Sequence, residues 1–331
     1  MKKLTILIFS GDRITIKGLL DDIVRLRDFN LNVRIVEWST DKKNLIQKNK
    51  IYKIYKKIIN LKVYYDYGNW EYKYKKYINK FKSKYILLMG DDDRLNVNNF
   101  KKIFKYLELN YSGITLSFKN FQNIKQIKKY NNENSNDINN ISPFELKHDL
   151  KKIGFTSCQI INVNLINKVY EKEKNYLLNS KFPQNFIILS IIKNFNNWKV
   201  FNQKCIYNRG GNLEIFNLNK KDLIKYFNIK DRLKSEYLGY FFPLKKNFSN
   251  LSKYEISEIY KDIFFNNIVS WLYLSIKFIG KKKTYKNIDK VRRILNEPFI
   301  VKITVVLFYL CPIFFLDIIR IFRKFFRNHM I

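Results

Sequence analysis

The sequence predicts an α/β protein: a largely parallel sheet built from right-handed βαβ units, followed by a helical and basic C-terminal region. Three observations carry this expectation. Strand and helix patterns alternate along the first two thirds of the chain. One apolar run of strand length, Tyr85-Ile-Leu-Leu-Met-Gly-Asp-Asp-Asp93, ends abruptly in three carboxylates. From about Leu218 the alternation stops and amphipathic helical patterns take over. The expected division is therefore an α/β domain over residues 1–217 and a helical region over 218–331.

Element by element, Leu4 to Phe9 is an apolar run of strand length, and Ile14 to Phe29 carries apolar residues at helical spacing. Asn32 to Val36 reads as a second strand, Trp70 to Phe81 as a Tyr/Lys-rich helix, and Phe100 to Leu109 as a helix after the acidic run. The Asn- and Lys-rich segment Lys119 to Ile141 has little periodicity and predicts a surface loop. Order resumes at Gly154, with a strand near Thr156 to Val163, a helix around Phe186 to Lys193 and a short strand before Asn208-Arg-Gly-Gly211.

Composition excludes several classes. A hydrophobic content of 46% with 17% aromatics, over 331 residues, is that of a folded chain with a sizeable core. The formal charge of +35 invites nucleic acid or anionic membrane as partner. Lys is spread through the chain alongside Asn, Ile, Tyr and Phe, however, and no nucleic-acid reading module is present, so nucleic acid is not expected. Three widely spaced cysteines, Cys158, Cys205 and Cys311, suggest neither a disulfide framework nor a thiolate metal site, and point to a reducing compartment. Two histidines leave little room for His-rich metal sites. The six apolar residues Leu4 to Phe9 are shorter than the apolar core of a signal peptide and run at once into Asp12 and Arg13, so a first strand in a cytoplasmic domain is expected.

At the tip of a buried strand, Asp91, Asp92 and Asp93 emerge where open α/β sheets place ligands. Adjacent like charges repel, and a hard cation such as Mg²⁺ or Mn²⁺, with the phosphates it carries, offsets that repulsion. The competing reading is a solvated acidic turn. The strand before it, and the scarcity of acid elsewhere, favour a metal-diphosphate site.

Residues 281–331 hold twelve Lys/Arg against three Asp/Glu and enclose the uncharged stretch Ile303 to Leu316. That stretch is short for a membrane span, which needs about 20 residues, and contains Pro312. A helix lying in an anionic membrane surface is expected, with Arg320, Arg323, Lys324 and Arg327 facing headgroups; the alternative is a buried hairpin.

From Lys3 to about Asn212 the chain resembles the family-2 glycosyltransferases of the GT-A fold, nucleotide-sugar transferases that build bacterial surface polysaccharides. The resemblance rests on Thr5-Ile-Leu-Ile-Phe-Ser-Gly-Asp-Arg13 for the first strand and turn, Val36-Glu-Trp-Ser-Thr-Asp41 for the acidic motif of the second strand, Gly90-Asp-Asp-Asp93 for the metal-binding carboxylates, and Ile206-Tyr-Asn-Arg-Gly-Gly-Asn212 for the closing segment. It implies a nucleotide-sugar donor and a glycan or lipid-linked acceptor. It further implies that Ser10, Glu37, Asp41 and Asp91 line the nucleoside, with Glu37 accepting from the base and Asp91 from the ribose. Asp92 and Asp93 would hold Mg²⁺ or Mn²⁺, and Lys76 and Arg209 would neutralise phosphate. Two departures stand out. Phe9 and Gly11 occupy positions where the family has Pro and an aromatic. The family's usual general base near a later helix start falls on Phe182-Pro-Gln-Asn-Phe186, where Gln184 and Asn185 cannot accept a proton. Either another acid substitutes, Asp149 being the leading candidate with His148 beside it, or the acceptor is activated differently, or the chain is an inactive transferase-like scaffold. The class outside enzymes is a basic peripheral membrane-binding protein.

Overall fold

The computed structural model describes residues 3–68, 70–78, 80–121, 138–140, 156–179, 183–195, 197–209, 242–248, 252–263, 269–286, 288 and 299–311. The chain forms two compact units, Met1–Gly211 and Asn212–Ile331.

In the first unit β1 (Leu4–Ser10) has every residue buried, as an unbroken apolar run requires when both faces of a parallel sheet are covered. Helix α1 (Ile16–Val24) is shorter than its apolar pattern: the chain turns into a 3₁₀ segment, Arg27–Phe29, closed by Asn30 at φ 50°, a left-handed position that Asn tolerates. Strand β2 (Asn32–Glu37), α2 (Lys42–Tyr55), β3 (Leu61–Tyr65), α3 (Trp70–Tyr77), β4 (Tyr85–Gly90), β5 (Arg94–Leu95) and α4 (Val97–Tyr106) follow. Then come β6 (Gly113–Phe121), β7 (Ile138–Asn140), β8 (Gln159–Asn162), α5 (Val163–Asn179), α6 (Pro183–Phe195) and β9 (Trp198–Arg209).

The expected loop over 119–141 is strand at both of its described ends, because Lys119 to Phe121 continue β6 alongside β9, and Ile138 to Asn140 pair with β9 from its other side. Pairing partners, not local composition, decide such polar strand segments. Residues 122–137 lie outside the described residues.

Among the described residues nine strands form one mixed sheet in the order β3-β2-β1-β4-β8-β6-β9-β5, with β7 also on β9. The first four are mutually parallel; β8 runs antiparallel to both β4 and β6, and β6 and β9 are parallel. Helices α1 and α4 share a core with the sheet, Leu19, Ile23, Phe100 and Ile103 meeting Ile6, Ile8 and Leu87. Register then places the functional end: Ser10 lies beside Glu37 and Phe9 beside Gly90, so three carboxyl-terminal strand tips converge.

The second unit, among the described residues, is helical: α7 (Phe242–Asn247), α8 (Lys253–Ile263), α9 (Val269–Ile279), a helical stretch over 281–286 and α10 (Phe299–Leu310). Gly280 at φ 91° breaks α9 from the stretch that follows, a conformation that glycine adopts without strain. Among the described residues no helix is long and apolar enough to cross a membrane.

Candidate functional site

The tips of β1, β2 and β4 hold a closed polar network centred on Lys48, a residue that sequence reasoning did not single out. Lys48 comes from α2 and is fully buried, with its side chain at 0% exposure. Its Nζ lies within hydrogen-bond reach of Ser10 Oγ at 2.7 Å, Ser39 Oγ at 2.9 Å, the Glu37 carboxylate at 3.2 and 3.3 Å and the Gly11 carbonyl, which its three N–H donors share. Asp91 Oδ2 lies 3.8 Å away and accepts from Ser10 Oγ at 2.8 Å. One ammonium therefore serves two buried acids, Glu37 at the end of β2 and Asp91 just after β4, the strands on either side of β1. Burial pushes the Asp91 carboxyl up to about 6, against the pull of Lys48 and the Ser10 hydroxyl.

Glu37 is enclosed by the same network. Its Oε1 accepts from the Ser39 amide at 2.8 Å and the Ser39 hydroxyl at 2.5 Å, and its Oε2 accepts from Tyr52 Oη. Burial and the Glu37 charge push the Tyr52 hydroxyl upward, which keeps it protonated as a donor. With both oxygens engaged and no exposed surface, Glu37 meets a nucleobase only if one of these donors gives way.

The three aspartates differ in environment. Asp93 is buried and accepts from Ser157 Oγ, which itself accepts from the Gly90 amide at 3.0 Å. Asp92 keeps 21% of its side chain exposed and pairs with Arg13 from the β1–α1 loop. That loop is clamped: Asp12 Oδ1 accepts from the amides of Thr40 at 2.6 Å and Asp41 at 3.0 Å, and Asn44 Nδ2 donates to the Asp12 carbonyl at 2.6 Å. Behind the triplet, Arg94 grips Asp22 of α1 with two bonds of 2.6 and 2.8 Å, and the Leu95 amide donates to the same carboxylate at 3.0 Å. This fixes the turn that carries the aspartates.

The remaining expected site residues sit apart from this network. Asp41 caps α2, its Oδ1 accepting from the amides of Lys43 and Asn44 at 2.8 and 3.2 Å. Lys76 pairs with Asp66 at 2.7 Å at the tip of β3, and Tyr77 Oη donates to the same carboxylate at 3.2 Å. Arg209 ends β9, its side chain outside the described residues; Asp149 and His148 lie outside them altogether. Gln184 and Asn185 occupy the first turn of α6 and are buried, and Gln184 Oε1 has no hydrogen-bond partner among the described residues.

Beside Gly11, where the resembled family has an aromatic, the Trp38 indole fills the space. A Cβ on Gly11 would lie 3.2 Å from its Nε1. Lys73, itself buried, sits 3.6 Å from the centre of the Trp38 ring, and burial pulls its ammonium down to about 8 against the attraction of Asp66 and Glu37. The aromatic side chain beside Gly11 thus comes from the β2–α2 loop.

This architecture is the GT-A glycosyltransferase fold. Among solved structures, residues 1–349 of Staphylococcus aureus TarS superpose with a TM-score of 0.57 at 13% identity, covering 93% of this chain and 89% of that one. The same TarS segment in complex with UDP gives 0.54 at 13% identity with the same coverage. A longer TarS structure gives 0.57 at 14%, covering 90% of this chain and 50% of that one. No known protein family's sequence profile matches the chain, and no curated protein is significantly similar to it.

Proposed function

We propose that the protein is a metal-dependent glycosyltransferase that moves a sugar from a nucleoside-diphosphate donor to a cell-envelope glycan or lipid-linked acceptor at the cytoplasmic face of an anionic membrane. The observation that carries this reading is the convergence of Ser10, Asp91 and the part-exposed Asp92 at the carboxyl ends of parallel strands, where this class of sheet binds its ligand. The similar fold of TarS, solved with UDP, supports a nucleoside diphosphate there.

Among the described residues no group of three or more Asp, Glu, His or Cys side chains gathers as a metal cluster, so the reading rests on fewer protein ligands. Mg²⁺ and Mn²⁺ in phosphate sites take one or two protein carboxylates, the remainder coming from phosphate oxygens and water. Asp92 supplies the accessible carboxylate, and Asp93, beneath Ser157, supplies a second only if that hydrogen bond opens. Bound there, the cation would act as a Lewis acid stabilising the departing diphosphate. Arg13, already at Asp92, is placed to neutralise phosphate on the same side. Asp91 and Ser10 form the floor beneath the ribose. We assign outer phosphate contacts to Lys76, which is paired with Asp66 at the tip of β3, and to Arg209 at the end of β9.

The proton of the attacking hydroxyl needs an acceptor, and the amides of Gln184 and Asn185 cannot provide one. We assign that role to Asp149. An Asp149→Asn variant is expected to lose kcat and the acidic limb of the rate profile while still binding donor; an unchanged profile removes Asp149 from the mechanism.

Thermal shift tests the reading as a whole. Screened against UDP, GDP, CDP and dTDP with and without Mn²⁺, one diphosphate is expected to raise the melting temperature only when the metal is present, since a ligand at 100 times its Kd stabilises by about 2.7 kcal/mol. If none does so, the donor-site assignment fails. Donor binding without transfer to any acceptor supports the scaffold reading instead.

A further inference from the structure

We infer that one face of α10 is the membrane-docking surface of the second unit and that its partner is an anionic lipid bilayer. The inference rests on the membrane part of the reading above and is independent of sugar transfer.

Helix α10, Phe-Ile-Val-Lys-Ile-Thr-Val-Val-Leu-Phe-Tyr-Leu, contains one charge in twelve residues. A helix of that composition is ordinarily buried on all sides. Here Ile303, Val306, Leu307 and Leu310 are 37%, 46%, 52% and 67% exposed, and their spacing of i, i+3, i+4 and i+7 puts them on a single stripe. On its protein side the helix is held firmly. Tyr285 Oη donates to the Val305 carbonyl, the Tyr285 and Tyr309 rings meet edge to face at 4.4 Å, and Val305 is buried. Lys281 Nζ donates to the carbonyls of Tyr309 at 2.8 Å and Cys311 at 2.5 Å, closing the negative end of the helix. The stripe therefore faces outward because packing orients it.

Charge selects the occupant. Lys282, Lys283 and Lys286, on the helical stretch that anchors α10, are exposed, as is Lys302 on α10 itself, and none forms an ion pair among the described residues. An apolar stripe beside uncompensated lysines is complementary to acyl chains beneath anionic headgroups. A water-facing role leaves the stripe unexplained, and a protein partner needs acids opposite the lysines. At about 1.5 Å per residue the described helix is roughly 18 Å long, against a hydrocarbon core of about 30 Å, which suits a helix lying in the interface. Tyr309, 48% exposed at the edge of the stripe, suits the headgroup level.

The test uses the full chain in co-sedimentation with phosphatidylcholine vesicles and with vesicles containing phosphatidylglycerol, at low and high salt. Wild type is expected to bind only the anionic vesicles and to be partly released by salt. The double variant Leu307→Asp/Leu310→Asp is expected to bind at least about tenfold more weakly with an unchanged melting temperature and an unchanged nucleotide response. Lys282→Glu/Lys283→Glu is expected to lose anionic selectivity. A double variant that binds as wild type does overturns the α10 assignment while leaving membrane association to other residues. Wild type that binds no anionic vesicle overturns both. A lowered melting temperature in the double variant, or a change of mass in light scattering, overturns the inference in favour of cover by the chain itself or by a second copy.

Discussion

Replacing Lys48 by Met is expected to lower the unfolding free energy by about 3–5 kcal/mol, the range seen when one partner of a buried ion pair is removed. Met fills the volume of the aliphatic stem and takes away only the ammonium. Glu37 and Asp91, at 0% and 6% exposure, then lose the buried ammonium that both of them face, and the Gly11 carbonyl loses one of its donors. Adding Glu37→Gln should restore part of the loss, because the second change removes one of the two uncompensated charges; non-additivity is the signature of a shared network. Chemical denaturation of the two single variants and the double variant measures this. A loss under about 1 kcal/mol for Lys48→Met would place the ammonium in solvent and dissolve the network.

Asp92→Asn is expected to act on function and not on fold. The substitution keeps the shape, and Asp92 and Arg13 are both part-exposed, so stability should change little. The metal-dependent component of nucleoside-diphosphate binding should disappear from the thermal-shift assay, because one anionic oxygen ligand is gone. Transfer is expected to slow by about 10²-fold or more, the scale on which losing one electrostatic contact to developing charge is felt. A variant that retains full Mn²⁺ response and full transfer would remove Asp92 from the metal site. Arg13→Met separates two roles: it leaves the carboxylate in place, so metal dependence should persist while phosphate affinity falls.

Lys48 and Asp92 also mark the boundary between what is legible in a sequence and what is not. The acidic tip was visible because a buried strand followed by three aspartates is rare in a chain with 28 acids and 63 bases. The fold class was visible because apolar periodicity depends on neighbours within a few residues. Lys48 was invisible for the same reason. It is one of many lysines on a helix of weak amphipathic pattern, and only the packing of α2 over the tips of β1 and β2 turns it inward. Six residues, Ser10, Gly11, Glu37, Ser39, Tyr52 and Asp91, bear on its ammonium or on the acids it serves, and they come from β1 and the turn after it, β2 and the loop after it, α2 and the segment after β4. No local pattern encodes that meeting.

The sequence by itself determined the α/β class, the strand that carries Asp91, Asp92 and Asp93, and the basic, apolar character of the C-terminal region. Each is a property of composition or of short-range spacing. Tertiary structure alone decided which aspartate stays accessible, since Ser157 covers Asp93, Ser10 with Lys48 holds Asp91, and Asp92 is left facing Arg13. It also decided that Glu37 is enclosed, that Trp38 fills the space beside Gly11, and that α10 turns four apolar side chains outward. These depend on contacts between residues tens of positions apart. Such contacts are set by sheet register and helix packing, which act only once the whole chain has condensed.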